Sequence, residues 1–430
     1  MKKNIFCLIL FCLLFIQMGC KDSDNAQIPT IEIDKENEEI IELLSIQDYF
    51  TTESTPLDFD ADHYPKELSM LDPELETKDI FLTGEVHGVA ANSVLKLDFF
   101  KYFKETTDFK YYLCETSHSC AYFINQYLET GDKIYLDNVY RRASITYQGS
   151  KENYDFWLEV YEYNKALNEN QKINVVGIDI EHDYITSFRF LTTILPDKEI
   201  PDEIKASIDL VLETKELLES SFQNDYKAPK NSKIILDDID VNRTVYMDYL
   251  GEDFIYFELV LENVLNGKEA YKHNGDMTAW NNVRDAMIYD NFVKLDNFLP
   301  KGKYFGQWGL PHVYQHKDKD IMWFGAYLNS EGSKYQDKVF SIAFNYLDCE
   351  AMDKAGGASS PINFAFPFAI GSQDRYDDNY ILYTVDNPEL NRARIPMIHV
   401  YTGEFLEEDI KKFFQYLVLI KNSGPSQSIN

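Results

Sequence analysis

The chain of 430 residues has 72 acidic and 41 basic side chains, which gives a formal net charge of -31 at pH 7. This balance excludes a protein that binds nucleic acid over a broad face, because phosphate contacts need clustered lysine and arginine. Six cysteines are too few for a disulfide scaffold, and no stretch after residue 20 is long and apolar enough to cross a bilayer.

The N-terminus has the features of an export signal. Lys2 and Lys3 precede the apolar run 5–16, which is shorter than a membrane-spanning helix. The run leads to Gly19-Cys20, and a small residue before a cysteine resembles the lipobox of bacterial lipoproteins. This resemblance implies cleavage before Cys20 and lipidation of its thiol, and hence a lipid anchor in the outer membrane, on its periplasmic or surface face. An ordinary signal peptide cut nearby is the alternative.

The remaining chain divides by composition. Residues 1–19 form the predicted signal peptide, and the polar, acidic residues 20–45 are predicted to be a solvated tether. Residues 46–425 are predicted to form one domain, and we expect residues 426–430 to be a disordered tail. Three cysteines lie in the domain, and the sequence leaves open whether any two of them pair; they are Cys114, Cys120 and Cys349.

Four short apolar runs are predicted to be buried strands, and each is followed by a polar residue. Ile80–Thr83 leads into Gly84-Glu85-x-His87-Gly88, whose glycines allow a sharp turn and a close backbone approach. The other three runs and the residues that follow them are 109–114 with Glu115, 173–178 with Asp179, and 304–309 with His312.

Helical patterns separate these strands, so the sequence predicts an α/β fold with a central mixed, largely parallel sheet flanked by helices. The predicted helices are 93–104, 119–128, 154–168 and 277–299, and Arg284 and Asn291 share one face of the last of them. Residues 184–275 are predicted to be a helical insertion that covers the site, with a loop at 224–233. Further strands are predicted at 338–346 and 380–385, and 405–421 fits a strand or a helix.

The carboxyl ends of parallel strands lie along one edge of a sheet, where open α/β sheets bind their ligands. A carboxylate beside an imidazole can supply a base near neutral pH together with its orienting partner. The sequence therefore predicts one crevice that contains Glu85, His87, Glu115, Asp179 and His312, with Arg284 as a nearby cation.

Several short motifs follow one another in a specific order between about residues 78 and 425. They are Gly84-Glu85-x-His87-Gly88, Glu115, Asn125-Gln126-Tyr127-Leu128 with Gly131-Asp132, Val176-Gly177-Ile178-Asp179, Arg284-Asp285 with Asn291, and the strand before His312. Their order resembles that of the erythromycin esterase family. The resemblance implies hydrolysis of an ester or lactone of a small molecule by an activated water, without a metal or other cofactor.

The resemblance also implies roles for individual residues. His87 would be the general base that deprotonates water, and Glu85 and Glu115 would orient the imidazole or the water. Arg284 and His312 would stabilise the developing oxyanion. The residues implied in substrate binding or in support of the site are Asp179, His118 and Asn291. The sequence has no Gly-x-Ser-x-Gly elbow, which disfavours a serine hydrolase, and His182 is expected to be an ordinary surface or turn histidine.

The chain departs from the macrolide-inactivating members of the family at one point. Those members carry Gly-Glu-x-x-His, whereas here one residue is missing between Glu85 and His87. The shorter spacing is similar to that of the ChaN-like haem-binding lipoproteins and the TIKI-type metalloproteases of the same broad superfamily. Two alternatives therefore stay open: a non-catalytic surface lipoprotein that binds haem, and a hydrolase that holds a divalent metal through Glu85, His87, Glu115 and His312.

Overall fold

The structure is a computed structural model that describes residues 54–59, 63–143, 149–353, 358–366, 378–385, 395–398 and 405–429. The predicted signal peptide, Cys20 and the predicted tether at 20–45 lie outside these residues.

The strands are β1 Ser54–Pro56, β2 Ile80–Glu85, β3 Tyr111–Ser117, β4 Asn174–Asp179, β5 Tyr304–Gly309, β6 Val339–Met352, β7 Ser359–Phe364, β8 Tyr380–Thr384, β9 Pro396–Ile398, β10 Phe405–Asp409 and β11 Tyr416–Lys421. Nine of them form one sheet in the order β1-β8-β11-β6-β2-β5-β3-β4, with β7 paired to β6, and β9 pairs with β10 separately.

The helices are α1 Asp72–Leu75, α2 Ala91–Thr107, α3 His118–Thr130, α4 Lys133–Ala143, α5 Lys151–Ala166, α6 Tyr184–Thr193, α7 Asp202–Ser220, α8 Lys227–Leu250, α9 Phe254–Tyr271, α10 Met277–Asp296 and α11 Phe324–Leu328. A 3-10 turn, Leu310–Val313, follows β5 directly. None of the helices in the described ranges is long and apolar enough to span a membrane.

The sheet is parallel from β11 to its edge strand β4, and it is antiparallel at the opposite margin and at β7. Strand β2 runs parallel to β5 and β6, β3 runs parallel to β5 and β4, and β11 runs parallel to β6. Strands β1, β7 and β8 pair antiparallel with their neighbours. The predicted fold class, a mixed and largely parallel sheet with flanking helices, is confirmed.

Both faces of the sheet are covered, which explains why its central strands are mostly apolar. On one face Phe81 stacks on Phe103 of α2, with ring centroids 4.9 Å apart. On the other face Leu82 belongs to a buried cluster with Ile288 and Phe292 of α10. A parallel sheet buried on both sides leaves its strand ends as the place where polar side chains reach solvent.

Residues 184–275 are mostly helical, as predicted, and contain α6 to α9, but the loop predicted within them at 224–233 is wrong from residue 227 onward. Helix α8 begins at Lys227, because a proline is tolerated in the first helical turn and Ala228 and Pro229 are buried there. The ambiguous segment 405–421 contains the strands β10 and β11, and β11 is buried between β6 and β8.

The C-terminal segment is ordered against the domain as far as Ile429, so the disordered tail predicted from residue 426 is wrong over 426–429. The amide of Ala90 donates to the Gly424 carbonyl (3.0 Å), and the amide of Ser426 donates to the Gly88 carbonyl (2.8 Å). At its end the Ile429 amide donates to the Gly149 carbonyl (3.0 Å). A short polar segment of this kind is ordered by backbone pairing, which its side-chain composition does not reveal. The three cysteines of the domain are free thiols.

Candidate active site

The four predicted strand ends lie side by side. Glu85 is in register with Gly309, and Ser117 is in register with Asp179. The end of β2 and the turn after it each need a glycine, Gly84 in the strand and Gly88 in the turn. A Cβ at Gly84 would lie 2.5 Å from Val313 Cγ2, and Gly88 has a φ of +90° with the Met352 carbonyl 2.8 Å from the position of a Cβ. The turn therefore packs closely against its neighbours, and this packing fixes the backbone on both sides of Glu85 and His87.

His87 and Glu85 form a hydrogen-bonded pair. The Nδ1 atom of His87 lies 2.9 Å from Glu85 Oε1, and the second oxygen of Glu85 accepts from the side-chain amide of Gln307. Gln307 is buried in β5 and also donates to the Asn92 carbonyl (3.1 Å). The carboxylate is therefore held at both oxygens, and it orients the imidazole so that Nε2 points away from it.

The Nε2 atom of His87 points toward Glu115, with 3.8 Å between Nε2 and Oε2. Burial lowers the pKa of His87, but the hydrogen bond with Glu85 and the charges of Glu115 and Glu85 outweigh it, so the pKa is raised above 6.5. The imidazolium form is thus stabilised by carboxylates on both sides of the ring.

Glu115 and Asp179 share the guanidinium of Arg284. Its Nη2 donates to Glu115 Oε1 (2.9 Å) and Asp179 Oδ2 (2.5 Å), and its Nε donates to Asp179 Oδ1 (2.9 Å). Burial favours the neutral acid, but His312, His87 and Arg284 lower the pKa of Glu115 to about 2. Burial likewise raises the pKa of Asp179, and Arg284 and His182 lower it below its ordinary value. Both carboxylates are therefore ionised at neutral pH.

His312 holds Arg284 from the other side. Its Nδ1 lies 2.7 Å from Asp285 Oδ1, and its Nε2 lies 3.1 Å from Arg284 Nη1. A guanidinium can only donate, so Nε2 accepts and the neutral ring carries its proton on Nδ1. The fully buried Asp285 also accepts from the Phe324 amide (2.7 Å). His312 is therefore fixed in one tautomer that positions the guanidinium.

Two predicted support residues lie outside this cluster of contacts. Asn291 is buried, and its amide donates to the Ile178 carbonyl (2.9 Å) and to Asn263 (2.9 Å), which fixes the end of β4. The His118 ring stacks on Tyr256 of α9, with centroids 4.9 Å apart and an interplanar angle of 6°. Burial lowers the pKa of His118 to about 4, so this ring is neutral at pH 7.

Sequence reasoning missed three members of the site. His182, expected to be an ordinary surface histidine, contacts Asp179 Oδ2 through Nε2 (3.2 Å). In the sequence, Asp285 stands out only as part of the Arg284-Asp285 motif, and Gln307 lies within a run that is predicted to be an apolar strand. A polar residue inside an otherwise buried strand was the available signal for Gln307, because such a group needs a partner.

The acids and histidines do not converge on one point. Glu85 lies on the Nδ1 side of His87 and Glu115 lies on the Nε2 side. Across the residues that the structure describes, no group of three or more His, Cys, Asp or Glu side chains is arranged to hold a metal ion. The charge at the centre of the site is instead supplied by Arg284.

Comparison with known proteins identifies the fold. No protein-family model matches the chain, and no curated protein matches it. A solved protein from Bacillus cereus aligns with a TM-score of 0.62 at 17% identity over 90% of this chain and 98% of its own. A succinoglycan biosynthesis protein aligns with a TM-score of 0.64 at 14% identity over 89% and 98%. A mutant of the erythromycin esterase EreC in its open conformation aligns with a TM-score of 0.58 at 15% identity over 88% and 98%. The chain therefore has the same fold as an erythromycin esterase.

Proposed function

We propose that this protein hydrolyses an ester or lactone bond of a small molecule with a water that His87 activates. One observation carries the proposal: the His87 imidazole is bonded to Glu85 through Nδ1 and presents Nε2 toward Glu115 at 3.8 Å. That separation exceeds a hydrogen bond, and a water in contact with both atoms would donate one proton to each. Glu115 would orient this water, and Nε2 would accept the proton as the oxygen attacks the carbonyl carbon.

The surrounding charges suit this proton transfer. Glu85 accepts the Nδ1 proton, so the neutral ring has its lone pair on Nε2. When Nε2 takes a proton from the water, a positive charge forms on the His87 ring. Glu85 and Glu115 stabilise this charge, and for the same reason they raise the pKa of His87. A positioned general base of this kind contributes about 10²–10⁴-fold to the rate.

Arg284 supplies the positive charge for the oxyanion. Its pKa is raised well above the ordinary arginine value: burial opposes the charge, but Asp179 and Glu115 outweigh it. The guanidinium therefore stays charged at every working pH. We assign His312 to hold this guanidinium through Nε2. Loss of one preorganised oxyanion donor lowers kcat by about 10²–10³-fold in comparable sites.

The shared fold with the esterase EreC supports a hydrolase. The spacing of Glu85 and His87 gives no reason to assume a macrolide substrate. The alternative, a hydrolase with a metal bound to Glu85, His87, Glu115 and His312, has less support because Glu85 and Glu115 lie on opposite sides of the His87 ring. No contact in the described residues favours the haem-binding alternative, which stays an outcome of the test.

The test is hydrolysis of a panel of simple esters and lactones by the mature chain without its lipid and by His87→Ala, each with and without a chelator. We expect turnover that the chelator does not change and that His87→Ala removes. Turnover that the chelator abolishes and an added divalent metal restores would replace the proposal with the metal-dependent hydrolase. No turnover together with haem absorbance after incubation would replace it with the haem-binding lipoprotein.

We propose further that the enzyme is anchored in the cell envelope through a lipid on Cys20, on the sequence resemblance to a lipobox alone. Metabolic labelling with a tagged fatty acid tests this. We expect the label on the wild-type chain and no label on Cys20→Ser, whereas a labelled variant would overturn the assignment.

A further inference from the structure

One face of α10 leads from solvent into the site. Met277, Trp280 and Arg284 are spaced three and four residues apart within Met277–Asp296, so they lie along one face of the helix. Neighbours at this spacing have Cβ atoms about 5–6 Å apart. Trp280 therefore lies one turn from Arg284 on the side of the helix N-terminus, and its indole is half-buried.

Two further rings connect Trp280 to the charged cluster. Tyr271, the last residue of α9, lies 5.0 Å from Trp280 between ring centroids. The Tyr271 hydroxyl is 2.9 Å from His182 Nδ1, and His182 Nε2 is 3.2 Å from the carboxylate of Asp179, to which Arg284 donates. We call His182, Tyr271 and Trp280 the aromatic wall. It is continuous, contact by contact, with the guanidinium assigned to the oxyanion.

The wall is open to solvent although it is built from rings. Tyr271 is 45% exposed, and the side chain of His182 is 37% exposed. Elsewhere in the fold most large aromatic side chains are buried in core clusters. Exposed rings next to convergent polar groups are typical of small-molecule sites, where apolar walls bind the body of the ligand and a few polar groups orient it.

We infer that the aromatic wall is the subsite for a flat, uncharged ring that the substrate carries on the alcohol side of its ester. A planar ring suits the wall because rings pack face to face or edge to face at centroid distances of about 4.5–7 Å. An anionic ring is disfavoured because the site places four carboxylates (Glu85, Glu115, Asp179 and Asp285) against the one positive charge of Arg284. The placement of the carbonyl at Arg284 rests on the proposed function, whereas binding of the ring does not.

Binding is tested by tryptophan fluorescence of His87→Ala. The chain has four tryptophans, and Trp157, Trp308 and Trp323 are 4%, 1% and 1% exposed, so the accessible signal comes from Trp280. We expect saturable quenching by 4-nitrobenzyl alcohol. When Tyr271→Ala is added to His87→Ala, the affinity for this alcohol should fall about tenfold. Tyr271→Phe keeps the ring and should not lower the affinity. Quenching that does not saturate, or that Tyr271→Ala leaves unchanged, would overturn the subsite.

Catalytic selectivity is tested with benzyl acetate, hexyl acetate and 4-carboxybenzyl acetate. Trp280→Ala should lower kcat/KM for benzyl acetate about tenfold, mainly through KM, and lower it clearly less for hexyl acetate, which has no ring to stack. Wild type should turn over the carboxylated ester more slowly than benzyl acetate. The control is Phe298→Ala, an exposed ring two residues beyond the end of α10. An equal loss on benzyl and hexyl acetate would overturn the subsite. If no ester is turned over but quenching is saturable and depends on Tyr271, the subsite is retained and the proposed hydrolase activity is overturned.

Discussion

His87 and His312 each bond a carboxylate through Nδ1, but their surroundings differ. The side chain of His87 is 28% exposed, and its Nε2 faces Glu115. The side chain of His312 is 7% exposed, its partner Asp285 is fully buried, and its Nε2 is bonded to Arg284. A histidine bonded to a carboxylate through Nδ1 thus holds a cation at His312, and we propose that it accepts a proton at His87. Access at Nε2 decides between these roles.

The largest expected effect follows from removing the positive charge of Arg284 at the centre of the site. Arg284→Met leaves Glu115 and Asp179 buried without their cation, and breaking a buried pair in this way costs about 3–5 kcal/mol. We expect that loss in urea unfolding, together with undetectable activity. The control Arg243→Met removes an exposed pair with Glu258, which should cost no more than about 1 kcal/mol. Equal losses in the two variants would contradict the central place of Arg284.

The two histidines should separate activity from stability. His312→Leu removes the Nδ1–H donor of the buried Asp285, which keeps only the Phe324 amide. We therefore expect a loss of about 1.5–3 kcal/mol in the free energy of unfolding. His87→Leu leaves Glu85 bonded to Gln307, so the loss should be less than about 1 kcal/mol while kcat falls by about 10²–10⁴-fold. Unfolding curves and rates on one ester measure both quantities. A larger loss of stability in His87→Leu than in His312→Leu would contradict the distinction between the two histidines.

The pH dependence of kcat/KM tests the hydrogen-bonded pair of His87 and Glu85. The base must be neutral, so kcat/KM should fall as the pH drops through the raised pKa of His87, which lies above 6.5. Glu85→Gln removes the carboxylate that raises this pKa, so the acidic limb should move to lower pH and the plateau should fall. A pH–rate profile of wild type and variant measures both. An acidic limb that stays in place would show that another group titrates.

The smallest effect concerns the backbone that supports His87. Ser426→Pro removes one of the two amides that donate to the Gly88 carbonyl, and the Met352 amide remains. Loss of one such bond costs about 0.5–1.5 kcal/mol, and the resulting shift in the turn should lower kcat a few-fold. Ser428→Pro, farther along the same segment, is the matched control and should leave kcat unchanged. Equal kcat in both variants would show that the segment does not position the turn.

Much of this arrangement was accessible from the sequence, because strands and their terminal polar residues are local signals. Ile80–Glu85 and Tyr304–Gly309 were predicted closely, and their parallel pairing brings Glu85 and His312 to one edge. The side-chain contacts of these residues could not be predicted from the sequence. Whether Gln307 contacts Glu85, or His182 contacts Asp179, depends on strand order and helix packing between residues far apart in the chain.

We propose that His87 is the general base, and chemical rescue of a variant that lacks its ring tests this role. Imidazole added to His87→Ala should restore hydrolysis in proportion to its neutral form, because the vacated position can accept a free base beside Glu85 and Glu115. His312→Ala should show no such rescue, since its ring holds Arg284 in place and takes no proton from water. Full activity in His87→Ala, or equal rescue of both variants, would contradict the account.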